Sequence, residues 1–243
     1  MAATVTAERW RKAQGAELSF WTGMEFHELV RACAEKAEFW SRFAPSQRAA
    51  MIAGKDVLEI GCGPLGVSVV AFCDTDTPRG LVKTDPLARL AVRDTHAAQA
   101  RHGATFIDWV DQLAAIGTYR QTAGEDLDFD SAFDTVITYN VLDHVRSPLR
   151  ILENARRALR PGGHLILGVD CLSWLGRVRF EWITRRIARG TILVEAHPHT
   201  FLPSDVTRMI EAAGLRMTEI HGLPRRIRRL AGRHFRPAFV ATK

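Results

Sequence analysis

Apolar residues recur at helical intervals over residues 6–44. Phe20, Trp21, Met24, Leu29, Phe39, Trp40 and Phe43 mark one face, no proline interrupts them, and Pro45 closes the segment. The spacing predicts a helical arm, and its aromatic content suits packing onto a larger body. From Asp56 the pattern shortens. Apolar runs at 56–60 and 80–84 read as buried strands, the second leading straight into Asp85. Runs at 118–123, 133–140, 164–169, 215–222 and 239–242 add five more.

Helical stretches fall between them. Residues 86–103 read as a helix with proline in its first turn and Gly103 past its end, and 106–117 as another short one. After the fourth strand Ser147 is the expected cap and Pro148 the first turn. Leu149, Leu152, Ala155 and Leu159 form the stripe, and the Arg-Pro-Gly-Gly run at 160–163 stops it. Residues 203–214 repeat this grammar with Ser204 as cap and Gly214 at the end. The alternation implies an α/β fold: a Rossmann-like, doubly wound, mainly parallel seven-stranded sheet. No helix separates the last two strands, so the final strand is expected to be antiparallel. Residues 1–45 form a helical N-terminal cap, 46–243 the main domain, and 171–200 an inserted lid.

Composition narrows the setting. Of 243 residues, 47% are hydrophobic and 25% charged, the balance of a globular protein without a membrane span. The N-terminus lacks the apolar core of a signal peptide, so a cytoplasmic location is expected. Cys33, Cys62, Cys73 and Cys171 are scattered, and no histidine stands at metal-ligand spacing. Neither a metal site nor a disulfide is expected. The net charge of +6 concentrates at 177–189 and 225–236, runs that attract anionic small molecules, nucleic acid or a membrane surface.

Candidate chemistry begins at VLEIGCGPLG, residues 57–66. Gly61, Gly63 and Gly66 satisfy G-x-G-x-x-G, a weak signal alone that also fits a dehydrogenase. In an open sheet the ligand lies beyond the carboxyl ends of the strands, where Asp85, residues 123–126 and Asn140 should converge with the loop. Asp85 is placed to accept from ribose hydroxyls. Glu59, inside the strand, suits a cationic cofactor better than a pyrophosphate, and Pro64 removes an N–H a phosphate would use.

With AGEDLDF, FDTVITYNVLDHV and LRPGGHLILGV downstream, residues 55–170 resemble class I S-adenosylmethionine-dependent methyltransferases, especially the type 11 domains. HPHTFLPSDVTRMIEAAGLRMTEI extends the likeness to about residue 220. The resemblance implies S-adenosylmethionine as cofactor and S-adenosylhomocysteine as product. It implies that Glu59, Gly61, Cys62 and Gly63 hold the methionine end, Asp85 the ribose and Pro86 the adenine. Gly124, Glu125 and Asp126 would lie at the adenine's polar edge, and Asn140 and Val141 beneath the methyl. Leu65 and Ala123 depart from the family pattern.

In-line methyl transfer depends on alignment, and a base is needed only for a protonated acceptor. His144, His197 and His199 are the candidates. In the insertion, Trp174, Val178 and Trp182 share one helical face among Arg177, Arg185, Arg186 and Arg189. A packed lid over the acceptor site is favoured there over a surface for lipid or an acidic substrate. The expected reaction is O- or N-methylation of a small molecule, acidic or aromatic in character. A nucleic-acid methyltransferase and a non-catalytic adenosyl-cofactor-binding protein are the alternatives.

Overall fold

A computed structural model describes residues 4–75, 77–95, 100–223 and 234–243. Three helices come first: α1 (Ala7–Gly23), α2 (Phe26–Trp40) and α3 (Pro45–Ile52). The strands are β1 (Asp56–Ile60), β2 (Gly80–Asp85), β3 (Thr118–Gln121), β4 (Phe133–Tyr139), β5 (Leu159–Gly168), β6 (Arg216–His221) and β7 (Ala238–Thr242). They form one sheet in the order β3-β2-β1-β4-β5-β7-β6, parallel except for β7, which is antiparallel to both neighbours. Between β2 and β3 lie α4 (Val92–Thr95) and α5 (Ala100–Ala115), and between β4 and β5 lies α6 (Pro148–Ala158). After β5 come α7 (Trp174–Arg179), a π turn (Phe180–Thr184), α8 (Arg185–Ile187) and α9 (Ile192–Glu195); α10 (Pro203–Ala212) precedes β6.

Both faces of the sheet are covered, as continuous apolar strands require. On one face Leu58, Ile60 and Val136 pack with Ile151 and Leu152 of α6 and Met209 of α10. On the other, Phe39, Trp40 and Phe43 pack against Val57, Ile137, Ile166 and Val240. The arm therefore shares the core of the sheet. Lys83, fully buried in β2, donates to the carbonyls of Gly66 (2.8 Å) and Ala114 (2.9 Å), tying the glycine loop to α5.

Several expected boundaries shift. The arm is two helices, because Met24 and Glu25 are extended and the Glu28 carboxylate accepts the Glu25 N–H at 3.0 Å to open the second. Pro45 opens α3 instead of ending the arm, taking the first-turn place where its missing N–H costs nothing. The helix expected from residue 86 begins at Val92, and its residues 96–99 lie outside the described residues. Gly103 breaks the helical backbone within α5 (φ −152°), so the helix ending there and the one expected after it meet at a kink. A Cβ on Gly103 would come within 2.4 Å of the Phe26 ring. Residues 160–163 enter β5 rather than stopping a helix. Ser147 makes no side-chain cap. The Glu125 carboxylate accepts the N–H groups of Arg146 (2.8 Å) and Ser147 (3.0 Å) instead. Leu202, not Ser204, precedes α10, and Asp205 accepts its N–H at 3.0 Å. The basic residues 225–233 lie outside the described residues.

Truncating Phe39, which is 0% exposed, to alanine should lower unfolding free energy by about 3–5 kcal/mol. Urea denaturation of Phe39→Ala checks this; a loss well under that range would mean that α2 packs loosely.

Candidate active site

β1 ends at Ile60, and the chain turns through Gly61 (φ 77°) and Gly63 (φ 83°), a left-handed backbone that side chains resist. Space is equally restrictive: a Cβ on Gly61 would meet Val141 at 2.4 Å, and one on Gly63 would meet the Trp21 ring at 3.1 Å. Two N–H groups, of Gly61 and Cys62, donate to Thr84 O at 2.7 and 3.1 Å. Gly63 N–H donates to one Asp85 oxygen and Leu87 N–H to the other, both at 3.0 Å. Burial pushes the Asp85 carboxyl up to about 6, against the pull of those two N–H groups.

The loop forms one wall of a cavity of about 410 Å³ beyond the carboxyl ends of β1, β2 and β4. All the sequence-predicted site residues open onto it except Glu59, Asp126 and His199. Glu59 spends its carboxylate inside the protein, accepting from Ser68 Oγ and from Val69 N–H (3.1 Å), so it shapes the loop from behind. Asp126 is exposed to solvent. His199 is buried and donates from Nε2 to Val145 O at 2.9 Å, a packing role rather than that of a base. Side-chain direction, which residue spacing does not encode, accounts for all three.

Sequence reasoning missed much of the opposite wall. Gln14, Glu17 and Trp21 of α1, Lys36 of α2, Tyr139 and Arg236 all face the cavity. The aromatic density of the arm was the only signal for any of them. Arg236 is held by Asp170 at 2.8 and 3.1 Å and donates to Tyr139 OH at 2.7 Å.

A cluster of titratable groups lies at the junction of this wall with the loop after β4. His144 Nδ1 faces Glu17 Oε1 at 2.9 Å and Ala196 O at 3.1 Å, while its Nε2 faces Asp143 Oδ2 at 3.5 Å. Both ring nitrogens face acceptors, an arrangement that favours the charged ring. Burial opposes that charge, but Asp143 and Glu17 outweigh it and raise its pKa to about 10. The His197 ring lies 4.4 Å away, with Nε2 3.6 Å from Asp143 Oδ2. Burial and the His144 charge lower its pKa, keeping it neutral near pH 7. Asp143, His144 and His197 also bring one ligand atom each within 4.8 Å of the others, a three-donor cluster that residue spacing does not reveal.

The profile of a methyltransferase domain family matches residues 27–220. The chain belongs to that family. This methyltransferase is 29% identical to the ubiquinone biosynthesis O-methyltransferase of Nitrobacter winogradskyi, a match over 71% of this chain that spans only 60% of the relative. It is 28% identical to the enzyme of that name from Acinetobacter baumannii, over 82% of this chain and 86% of that one. Its fold is similar to that of the 1,6-didemethyltoxoflavin-N1-methyltransferase of Burkholderia thailandensis, solved with S-adenosylhomocysteine bound. There the TM-score is 0.60 at 15% identity, covering 100% of this chain and 93% of the other.

S-adenosylmethionine is the cofactor of this enzyme, and the cavity fits it. Asn140, which lines the cavity in a left-handed conformation (φ 58°), keeps its Oδ1 buried with no hydrogen-bond partner. An acceptor left in this state suits a donor from a ligand. Asp85 retains acceptor capacity beyond its two N–H bonds, as a ribose diol needs. The lining sets the carboxylates of Glu17, Glu28, Glu35, Asp85 and Glu125 against Arg31, Lys36, His144 and Arg236, a slight acidic excess that tolerates a cationic cofactor.

A ribose that donates to Asp85 needs the ionised carboxylate. Affinity for S-adenosylhomocysteine should therefore be full above pH 7 and fall as the pH drops through about 6. The limit is about tenfold per pH unit. Calorimetric titration from pH 5 to 8 should show that slope, and Asp85→Asn should flatten it at weaker affinity. A wild-type profile already flat would remove Asp85 from the ribose contact.

Proposed function

We propose that this methyltransferase methylates a hydroxyl of an aromatic small molecule, with His197 as the base that takes the hydroxyl proton. Support comes above all from the paired histidines: one ring fixed as a cation, the other kept neutral beside it and facing the cavity. A small molecule methylated on oxygen or nitrogen is the acceptor class. Oxygen is the better choice because the O-methyltransferase relatives act there by name, and because a base beside the cavity serves a protonated acceptor. Trp10, Phe20, Trp21 and Tyr139 give the wall flat apolar surfaces suited to an aromatic ring.

In this reading Gly61, Cys62 and Gly63 cradle the methionine end and Asp85 holds the ribose. Pro86, Gly124 and Glu125 border the adenine, and Asn140 and Val141 line the cofactor beneath the methyl. When bound, the cofactor supplies a methyl already activated on a sulfonium. The protein's part is alignment and proton removal. His197 receives the acceptor's proton, Asp143 steadies the ring, and the His144 imidazolium favours negative charge developing on the acceptor oxygen. The four cysteines are unpaired thiols. No helix among the described residues is long and apolar enough to cross a membrane. Both observations suit the cytoplasm, where we place the enzyme.

The three-donor cluster supports a second reading, a divalent cation between Asp143, His144 and His197. It would have to displace the His144 proton that Glu17 and Asp143 retain, so the proton-held state is preferred.

His197→Ala should lower kcat about 10²-fold or more while leaving S-adenosylhomocysteine affinity within twofold (~) of wild type. The wild-type kcat/KM should fall with acid along a limb below the ordinary histidine value of 6.5, and this limb should vanish in the variant. Full activity in His197→Ala would retire the base. Loss of activity on dialysis against EDTA, regained with a divalent cation, would establish the metal reading instead.

The Glu17–His144 pair should stabilise the fold in a defined window. His144 is raised above its unfolded value, so its contribution is full below about 6.5 and disappears as the pH rises through about 10. Thermal melts of wild type and Glu17→Gln should differ most below that window and converge above pH 10. A constant difference would mean that His144 is not the charged partner.

A further inference from the structure

The segment between β5 and α10 has two unlike faces. Its inner face is anchored: Gly176 and Phe180 are buried, Ser173 Oγ accepts the Gly176 N–H at 3.0 Å, and Arg177 pairs with Asp205 of α10 at 2.7 Å. Its outer face carries large apolar side chains in water. Ile187 is 80% exposed, Trp174 and Trp182 are each 64% exposed, and Ile183 is 50% exposed. Leu175 and Val178 are also exposed. Scattered exposed apolar residues are ordinary, but a cluster dominated by tryptophan and isoleucine marks a docking surface.

Charge identifies what docks. Arg179, Arg186 and Arg189 are exposed around the apolar cluster, and the Arg186 guanidinium lies 5.6 Å from the Trp182 ring centre. Between residues 171 and 190 the sequence holds one acid, Glu181, and its carboxylate accepts from Thr200 Oγ1 at 2.8 Å. Tryptophan beside arginine on a short helical element is the composition that enters a headgroup layer. The indole sits at the level of the ester groups and the guanidinium meets phosphate. A second copy of this chain would set arginine against arginine. Residues 224–233 carry five more arginines and no acid, so they complement the face no better.

We propose that the outer face of residues 174–187 docks on a bilayer surface containing anionic lipid. Docking would hold the cavity beside the bilayer, because the same segment continues through α9, whose carbonyls at Val194 and Glu195 accept from Arg9 of α1, to His197 at the cavity wall. The attachment is independent of the acceptor proposed above, and its test involves no turnover.

The test is flotation of the full-length protein with vesicles of phosphatidylcholine alone or mixed equally with phosphatidylglycerol. The protein should float with the mixed vesicles, and less so at high salt. Trp174→Asp/Trp182→Asp/Ile187→Asp and, separately, Arg179→Glu/Arg186→Glu/Arg189→Glu should each cut the bound fraction about tenfold. Far-ultraviolet circular dichroism and S-adenosylhomocysteine affinity should stay unchanged in both. Failure of the wild type to float with mixed vesicles overturns the proposal, as does undiminished flotation of both folded variants. A concentration-dependent dimer that the Trp/Ile variant abolishes, without flotation of the wild type, assigns the face to a second copy and overturns it as well.

Discussion

Glu17 and His144, 2.9 Å apart, are the contact on which the walls of the cavity depend. Three stretches remote in sequence meet there: α1 brings the carboxylate, the loop after β4 brings the imidazole, and the inserted segment brings the Ala196 carbonyl to the same nitrogen. Neither partner tolerates isolation. A buried charge without its counter-charge costs about 3–5 kcal/mol. Burial raises the Glu17 carboxyl, yet the His144 charge brings it below its ordinary range. Arg9 and Lys12 reinforce the junction from the same helix by binding Val194 and Glu195. The arm is thus clamped at two points along its length, which lets its aromatic face serve as a wall.

The opposite wall obeys a different constraint. The glycine loop is squeezed between Val141 and Trp21 on one side and shaped by Glu59 on the other. Asp85 is both an anchor for Gly63 and Leu87 and a carboxylate that burial makes reluctant to ionise. A ligand that donates hydrogen bonds to it relieves that reluctance. The site is therefore built with one acceptor at Asp85 under electrostatic strain and another, Asn140 Oδ1, unsatisfied. Both are unfavourable for the protein alone and favourable for binding.

The strands and their order of appearance were legible because period and burial agree: DVLEI and FDTVITY are apolar on both faces and lie in the middle of the sheet. The cavity lining was legible where backbone position suffices, as at Gly61, Gly63, Asp85 and Asn140, all set by strand ends. It was illegible where side-chain direction decides. Glu59 and His199 have suitable chemistry and turn away from the cavity, whereas Glu17 and Arg236 carry no local signal and face it. The break between α1 and α2 was hidden for a related reason. Gly23 ends α1, a weak stop that the continuous apolar spacing masked, and Glu28 Oε2 then accepts the Glu25 N–H at 3.0 Å to open α2.

The inserted segment joins these two scales. Its inner face supplies the carbonyls and His197 that complete the arm's clamp, so it cannot swing free without opening the cavity. Its outer face is anchored from beneath by Phe180 and the Arg177–Asp205 pair. An element apolar outward and structural inward places whatever touches its outer surface next to the neighbourhood of the histidine pair. Its Ala196 carbonyl adds to the hold on the His144 proton, but less than Asp143 and Glu17 do, and burial ahead of the His144 charge lowers the His197 pKa. The segment that buries and positions the proposed base is thus the one whose other face lies at the surface of the molecule.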